Sequence, residues 1–380
     1  MSEVPYAGVR LNGRGVYRRE AVRSDRVKAS TLTRLRQGQV VYNRMWATRG
    51  SFGVAGPAVD GCLVTNDFPV FDVLADVERR YLALLFETRE FQATAASAAV
   101  GTTERKRLLE RDFLRLSIDL PPLAEQHRIV GLVLSVDEAV NAAEREVRAL
   151  AELRRLAILA AIGSQSGQAV PMPTVLELVI GGAWGDPPGT QDGDADALNL
   201  LVFNNQSLTI DATHSTPRSF TRARLNGRAL QVDDILLERS GGTNDRAVGR
   251  VVYADRELPD VVPTDFMRLL RVKRDLAEPR FIFWHLWARY QRGETVAYQS
   301  KTTNIRNLRV NDYLALPITL PSREEQIRVV RLGESLTHVL GAATRLAARY
   351  SALRLVLLRD LLSGGHEIPG SYDRFLDGAV

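Results

Sequence analysis

Arginine, amide and hydroxyl side chains collect in four short polar stretches, two in the first third of the chain and two after residue 238. Such groups hydrogen-bond to phosphate oxygens and to the edges of nucleic-acid bases. The candidates in the first half are Asn43, Arg44, Arg49, Ser51, Thr102, Thr103, Arg105, Lys106 and Arg107. Those in the second half are Arg239, Ser240, Gly241, Gly242, Thr243, Asn244, Arg246, Lys301, Thr302, Thr303, Asn304 and Arg306, where the two glycines permit close backbone approach. The alternative interpretation is that these stretches are solvated turns.

The sequence contains little that supports a catalytic or metal-binding site. The single Cys62 excludes a disulfide framework and a cysteine zinc site, and the histidines are scattered without ligand spacing. Asp186-Pro187-Pro188 is followed by Gly189, where an adenine methyltransferase needs an aromatic residue, so this segment is interpreted as a turn. Glu104-Arg105-Lys106 lacks the upstream Pro-Asp partner of a nuclease, and there is no G-x-x-x-x-G-K-[ST] stretch for ATP. The sequence therefore predicts a non-catalytic chain with no metal or cofactor of its own.

The basic charge of the chain is almost entirely arginine. The net charge of the 380 residues is +5, and only four of the 50 basic residues are lysines. Arginine suits bidentate contacts with phosphate and guanine, although a GC-rich genome would produce the same bias. No apolar run reaches transmembrane length and no signal-peptide core is present, so we expect a soluble, cytoplasmic protein without membrane contact.

The elements that position the polar stretches follow from a motif that occurs twice, 200 residues apart. Leu-Pro-x-x-x-Glu-Gln stands at 120–126 and again at 320–326, each time before a helical pattern of about 40 residues. Each proline ends the preceding segment, and each glutamate places a carboxylate in the first helical turn. The first helix carries a heptad pattern at Ile129, Val133, Val136, Val140, Ala143, Val147 and Leu150, matched by Val329, Gly333, Leu336, Leu340, Ala343, Ala347 and Tyr350. We predict an antiparallel coiled coil, with two unrelated amphipathic helices as the alternative.

The repeat extends beyond the helices and predicts an α+β protein with a pseudo-two-fold internal duplication. Corresponding residues are Leu35 and Leu230, Arg44 and Arg239, Gly53 and Gly249, Phe68 and Phe266, Thr102-Thr103 and Thr302-Thr303, and Asp112-Phe113 and Asp312-Tyr313. The predicted order is a first domain at 1–118, a spacer helix at 119–163, a second domain at 164–318, a spacer helix at 319–363 and a loosely ordered tail at 364–380. The first domain has no counterpart of 170–195, so it is N-terminally short.

At these residues the chain resembles the specificity subunit of a type I restriction–modification system. The repeated motif with its heptad helix resembles the two central conserved regions of that family. Three further sets of residues resemble the target-recognition domains of that family: 50–54 with 65–69, Ser240-Gly241-Gly242-Thr243, and 302–308. Together, and in this order, the segments cover essentially the whole chain. Trp46 and Trp184 lie near these loops as candidates for stacking on bases.

The resemblance implies a bipartite, asymmetric site in double-stranded DNA, with one recognition domain for each half-site. It also implies that two modification subunits, carrying S-adenosylmethionine for adenine-N6 methylation, dock on the coiled coil, and that restriction subunits with ATP and Mg are further candidate partners. A helix from Glu125 to Ala161 spans roughly 55 Å, against ~34–36 Å for one turn of B-DNA, which suits a spacer between half-sites. The alternatives are a duplicated DNA-binding scaffold of another phage-defence complex and a self-sufficient DNA-modifying enzyme.

Overall fold

The computed structural model describes residues 3–23, 29, 31–101, 106–203, 207–243, 246–258, 260–302 and 305–375, without the side chains of residues 301, 302 and 375. The chain divides into two compact units. The first unit contains Met1–Ala142 with Ala348–Val380, and the second contains Ala143–Ala347. No helix in the described parts of the chain is long and apolar enough to cross a membrane.

The part of the chain before the first long helix is a set of short strands followed by helices. Its strands are β1 (Glu3–Val4), β2 (Ala7–Val9), β3 (Val16–Arg18), β4 (Val22–Arg23), β5 (Leu32–Arg34), β6 (Val40–Tyr42), β7 (Phe52–Val54), β8 (Leu63–Thr65) and β9 (Val70–Phe71). Its helices are α1 (Arg79–Glu87), α2 (Arg89–Ala98) and α3 (Glu110–Phe113), and the long helix α4 (Leu123–Gly163) follows.

The part of the chain between the two long helices has longer strands. They are β10 (Gln168–Pro171), β11 (Leu176–Gly181), β12 (Gly193–Leu198), β13 (Ser215–Phe220), β14 (Ile235–Glu238), β15 (Ser240–Gly242), β16 (Val251–Tyr253), β17 (Val261–Pro263), β18 (Met267–Val272), β19 (Gln299–Thr302), β20 (Ile305–Leu308) and β21 (Pro317–Leu320). Its helices are α5 (Arg222–Leu225), α6 (Pro279–Gln291) and α7 (Val310–Leu314), and the long helix α8 (Arg323–Leu362) follows.

The first unit is built around aromatic packing on an antiparallel sheet of order β7-β6-β9. Tyr42 and Phe52 point from β6 and β7 into a cluster with Phe86, Phe91 and Phe113. The Tyr42 ring lies 4.7 Å from the Phe113 ring, and its hydroxyl donates to the Leu108 carbonyl at 3.0 Å. Aromatic rings bury a large apolar area for each residue, which suits a domain whose strands are only two or three residues long.

The second unit contains a four-stranded antiparallel sheet of order β11-β18-β14-β16, covered by α6. A three-stranded sheet of order β13-β12-β17 and another of order β15-β20-β19 stand beside it. Helix α6 is apolar around most of its circumference, and Phe281, Phe283, Trp284 and Trp287 are all buried. A helix that is buried on all sides needs this pattern rather than an amphipathic one.

Helices α4 and α8 pack against each other in opposite directions, as the antiparallel prediction requires. In the first unit the beginning of α4, at Ile129 and Val133, shares a cluster with the end of α8, at Leu358 and Leu361. In the second unit the end of α4, at Ile158 and Ile162, shares a cluster with the beginning of α8, at Val329 and Val330. The mixed helix-and-strand fold with two long paired helices is therefore confirmed.

The two long helices begin in different ways. At the start of α8, the Ser322 hydroxyl and backbone N–H both donate to the Glu325 carboxylate, at 2.9 and 3.1 Å, which forms a capping box. At the start of α4, Pro122 replaces that serine and Glu125 instead accepts the backbone N–H of Ile368 at 2.8 Å. Ile368 is buried, so the part of the tail around it packs on the first unit, and the expectation of a loosely ordered tail was wrong there.

The residues before Pro121 and Pro321 also differ. Pro317–Leu320 forms β21, whereas residues 117–120 form no strand. Each proline ends the segment before it, but only the second copy of that segment is a strand. The physical reason is the partner: β21 pairs with β10, which lies in the region after α4.

Candidate nucleic-acid interface

The second unit brings its two predicted polar stretches together on one small sheet. Strand β20 lies between β15 and β19, so that Gly242 faces Arg306 on one side of β20 and Lys301 faces Arg306 on the other. The last residue of β15, Gly242, and the last residue of β19, Thr302, lie opposite neighbouring residues of β20, Arg306 and Ile305, at the same end of the sheet. The sequence stretches that were about 60 residues apart thus form one surface.

The glycines of this sheet are required by the backbone. Gly241 has φ +117°, a conformation that side chains rarely adopt, and an added Cβ would lie 2.3 Å from Leu200 Cδ1. At Gly242 an added Cβ would lie 2.7 Å from the Arg246 carbonyl oxygen. Arg246 closes the turn by donating from Nη2 to the Gly241 carbonyl at 2.9 Å, while most of its side chain stays exposed.

Arg239 lies near a second arginine, Arg268. Its backbone N–H donates to the Phe266 carbonyl at 2.8 Å, and its side chain is half-buried. No hydrogen bond or ion pair of its guanidinium is found among the described residues. Burial, and after it the nearby charge of Arg239, lower the pKa of Arg268. Because two arginines repel each other here, an anion such as a phosphate would be bound favourably. Sequence analysis missed Arg268, which the β18–β14 pairing brings beside this site.

Ser240 and Ser51 do not offer their hydroxyls to a ligand. Ser240 is 6% exposed and donates to the Asn307 side chain, and Ser51 is fully buried and donates to the Val9 carbonyl at 3.0 Å. Both serines therefore hold the loops in place from inside the domain. The prediction of direct contact at these two positions is corrected, because a nucleic acid does not reach a hydroxyl that the fold has enclosed.

The first unit also brings its two polar stretches together, but two of the candidate arginines, Arg44 and Arg107, have carboxylate partners. The Leu108 N–H donates to the Arg44 carbonyl at 3.0 Å, which joins the stretch 43–51 to the segment after residue 106. The Arg44 side chain is ion-paired with Glu110, and Arg107 lies 3.7 Å from Asp67. Backbone bonds between Val100 and Arg107, at 3.0 and 2.8 Å, close the intervening loop.

Three further candidates differ in what they expose. The Asn43 side chain accepts the backbone N–H groups of Met45 and Trp46, at 3.0 and 3.2 Å, so it shapes the turn. Arg49 is exposed and its guanidinium lies 5.2 Å from the centre of the exposed Trp46 ring. Lys106 is exposed as well. Arg49, Trp46 and Lys106 are therefore exposed to solvent, as is the side chain of Arg107.

Several candidates fall where the structure gives no account of them. Thr102, Thr103, Arg105, Asn244, Thr303 and Asn304 lie outside the described residues. Lys301 and Thr302 are described by their backbone in β19 only. Thr243 is exposed, and its backbone pairs with that of Arg246 at 3.0 and 3.4 Å.

The second unit has an exposed tryptophan with an arginine packed against its ring. Trp184 is 40% exposed, and the Arg218 guanidinium covers one face of its ring at 4.1 Å. Arg218 lies in β13, at the edge of the three-stranded sheet β13-β12-β17. The arrangement leaves an aromatic plane and an arginine together at the surface, which is the pair of groups that stacks on bases and neutralises phosphates.

A pair of buried glutamines, which the sequence showed only as part of the repeated motif, ties each strand-and-helix domain to its long helix. The Gln126 side chain accepts the Glu78 N–H at 2.8 Å and donates to the Pro121 carbonyl at 2.8 Å. Gln326 repeats both bonds with Glu278 at 2.8 Å and Pro321 at 2.9 Å. The identical spacing of 200 residues between all three partners was the signal from which this contact could have been found.

These contacts define the class: a protein of two duplicated domains, each locked to one of two long antiparallel helices and each presenting arginine-bearing loops. No family model matches the chain, and no curated protein sequence matches it either.

Solved structures with this fold do exist. The crystal structure of the HsdS subunit from Thermoanaerobacter tengcongensis has a TM-score of 0.53 and 18% identity, with 96% of this chain and 91% of that chain covered. A chain from a study of complex assembly and conformational transition of the type I R-M system has a TM-score of 0.60 and 17% identity, with 95% of each chain covered. The chain therefore has the fold of type I restriction–modification S subunits along nearly its whole length.

Proposed function

We propose that this chain is the DNA-specificity subunit of a type I restriction–modification complex. The observation that carries the proposal is the fold, which is similar to that of S subunits over about 95% of the chain. The duplicated domains, each with arginines beside glycine-containing or polar loops, supply the groups that position a protein on phosphates and read base edges. In this proposal each domain binds one half-site of an asymmetric, bipartite target in double-stranded DNA.

The two half-sites are bound with different electrostatics. In the second unit Arg239, Arg246 and Arg268 lie around the β15–β20–β19 sheet, and the repulsion between Arg239 and Arg268 favours an anion. In the first unit Arg44 and Arg107 already have carboxylate partners. DNA binding by the second domain therefore depends more strongly on salt, since each phosphate contact releases counterions.

The methyltransferase activity belongs, in this proposal, to partner subunits that bind S-adenosylmethionine. Helix α8 offers them a surface in the second unit: Leu332, Val339 and Leu346 recur every seven residues and remain 38%, 47% and 41% exposed. An apolar stripe at heptad spacing is what a helix of another subunit packs against. The chain itself then contributes recognition and docking and carries out no chemistry.

The first test is sequencing of methylated adenines in the host genome with and without this gene. The proposal expects a bipartite, asymmetric methylated motif that disappears when the gene is deleted. The double variant Arg239→Ala/Arg306→Ala should reduce methylation of that motif. The control variant Arg145→Ala, which changes an exposed arginine of α4, should leave methylation unchanged.

A second experiment separates DNA recognition from docking of the modification subunit. Val339→Glu/Leu346→Glu should abolish both methylation and co-purification of the modification subunit while the chain stays folded. An unchanged methylome after gene deletion, with the chain purifying in a complex that does not methylate DNA, would instead favour the scaffold of another defence complex.

A further inference from the structure

In the second unit, the segment just before the Pro321 motif is a strand with a partner. Strand β21 pairs antiparallel with β10 in the register Gln168–Leu320, Ala169–Thr319, Val170–Ile318 and Pro171–Pro317. Ile318 is 1% exposed as a result. An added Cβ on Gly167 would lie 2.3 Å from the Leu320 carbonyl oxygen, so the two segments approach as closely as backbones can.

The same segment in the first unit has no partner strand. Residues 116–121 and 316–321 share the pattern Leu-x-Ile-x-Leu-Pro. Within the described part of the chain, the backbone N–H groups of residues 117–120 find no hydrogen-bond acceptor. Ile118 is 37% exposed where its counterpart is buried, and Leu120 is 40% exposed. An unpaired extended edge with apolar side chains is a template for another strand.

The residues that correspond to β10 are held elsewhere. Ile368 donates its N–H to Glu125 Oε1 at 2.8 Å and is buried beneath the start of α4. Asp373, in the 3-10 helix Gly370–Phe375, accepts two bonds from Arg128 at 2.7 and 2.9 Å. The tail is thus bonded to the first turns of α4 and does not pair with residues 117–120.

An open groove remains on both sides of the segment. A cavity of about 300 Å³ is lined by Ile118, Phe91 and Leu362, among others, and a second of about 530 Å³ by Leu120, Tyr81 and Leu361. The exposed charges along these cavities include Glu90, Asp119 and Glu367. Two arginines also line the groove, but Arg359 is bonded to Asp360 at 2.8 Å and Arg128 to Asp373 at 2.7 and 2.9 Å. The groove is therefore apolar at its base and acidic at its rim.

The pairing in the second unit tells which atoms of the first unit are available. Proline has no N–H, so the facing Pro171 and Pro317 occupy a non-hydrogen-bonded pair. Because such pairs alternate, Ile318 and Leu320 are the residues that exchange backbone bonds with β10. Their counterparts Ile118 and Leu120 therefore present free N–H and C=O groups. Asp119 corresponds to Thr319 at a non-hydrogen-bonded position, where facing side chains lie close together.

We propose that residues 117–120 of the first unit form a docking site for an extended strand of a partner polypeptide, which adds antiparallel to Ile118 and Leu120 and places a basic side chain opposite Asp119. Strand β10 is the intramolecular example of such an occupant. Its sequence is Gln-Ala-Val-Pro, so it is short and ends in a proline. The acidic rim selects arginine or lysine at the position that Ala169 has in β10. Backbone pairing supplies the affinity, and the charge opposite Asp119 supplies the selectivity.

The test uses the full chain and fluorescently labelled peptides with the sequence of residues 165–173. Three peptides are compared by anisotropy: the native sequence, one with Ala169→Arg and one with Ala169→Glu. The proposal expects the arginine peptide to bind most tightly and the glutamate peptide least tightly. Hydrogen exchange at the amides of Ile118 and Leu120 should slow when the arginine peptide is bound.

Two matched proline variants locate the site. Ile118→Pro removes a bonding N–H and should weaken the arginine peptide about tenfold or more. Ser117→Pro should leave binding within about twofold, because the second unit has proline at that position. Should Ile118→Pro unfold the first unit, Asp119→Arg provides the independent measurement, since it should reverse the order of the arginine and glutamate peptides.

Equal peptide affinities for Ile118→Pro and Ser117→Pro would overturn the proposal, and so would a peptide order that Asp119→Arg leaves unchanged. The first result would mean that the peptide only replaces β10 in the second unit. Concentration-dependent dimerisation that Ile118→Pro removes would overturn the proposed occupant, because a second copy of this chain would then fill the groove.

Discussion

Arg354 and Arg154 occupy the same step of the two long helices, yet their surroundings are opposite in character. In the first unit the Arg354 guanidinium donates to Asp137 and, at 2.9 Å, to Glu87. In the second unit Arg154 donates to the Thr337 hydroxyl at 3.3 Å and lies 5.8 Å from the centre of the Trp287 ring. All three positions correspond at a spacing of 200 residues, so the duplication kept the arginine and exchanged both of its neighbours.

The exchange changes the protonation equilibria in opposite directions. Burial lowers the pKa of Arg354, but the hydrogen bonds to Asp137 and Glu87 outweigh it and raise the pKa above its ordinary value. For Arg154 burial dominates and lowers the pKa to about 10, which still leaves it charged at neutral pH. The same long side chain is thus a partner of carboxylates in one unit and a cation packed among aromatic and hydroxyl groups in the other.

A second exchange concerns volume. In the second unit the Trp284 ring lies so close to α8 that an added Cβ on Gly333 would be 2.3 Å from it. In the first unit the corresponding residues are Leu84 and Val133, which are buried in one cluster. A large residue against a glycine and two medium residues against each other fill similar space. In both comparisons, the residues on the two sides of a duplicated contact have changed together, so that a change in one is compensated by a change in its neighbour.

The largest expected effect comes from breaking the volume pair. Gly333→Val should destabilise the second unit by about 3 kcal/mol, because the new side chain must displace the Trp284 ring. Trp284→Leu combined with Gly333→Val recreates the first unit's pair and should recover much of that loss. Urea unfolding of the single and double variants measures both values, and an additive loss in the double variant would contradict the compensation.

The next effect tests what the two units share. Gln126→Leu and Gln326→Leu should each cost about 2 kcal/mol, since each leaves a buried N–H and a carbonyl without partners. Gln126 donates in addition to the Asp76 carbonyl at 3.2 Å, so its replacement should be the slightly more costly of the two. Local hydrogen exchange at Glu78 and Glu278 reads the two sites separately. A loss at only one of them would show that the repeated bonds are not equivalent in strength.

The smallest effect sharpens the arginine comparison. Arg354→Met should cost about 2 kcal/mol because it leaves two partly buried carboxylates without their cation. Arg154→Met should cost about 1 kcal/mol or less, since a thioether fills the space beside Trp287 and no carboxylate is left behind. Unfolding experiments at low and high salt provide the check, and equal costs would remove the distinction between the two environments.

The sequence predicted most of what the repeat itself encodes. The motif at 120–126 and 320–326, the heptad pattern and the matched glycines were enough for the mixed fold, the two long helices and their antiparallel packing. These features are local in sequence or repeated at fixed spacing, so they can be seen without coordinates.

The candidate site was predicted less completely, because exposure is decided by tertiary contacts. A serine beside a glycine in a polar stretch looks available, yet Ser51 and Ser240 are enclosed by Val9 and Asn307 from distant parts of the chain. Arg268 gave no signal at all, since it stands within an apolar strand and reaches Arg239 only through strand pairing.

The sequence alone thus determined that the chain is a duplicated protein with two long helices and arginine-bearing loops. Only the tertiary structure decided which copies of an equivalent residue are buried, paired or open. The segment Leu-x-Ile-x-Leu-Pro is the clearest case, because identical patterns give a paired strand at 317–320 and an open edge at 117–120. A strand is completed by a partner from elsewhere in the chain, and no local pattern records whether that partner is present.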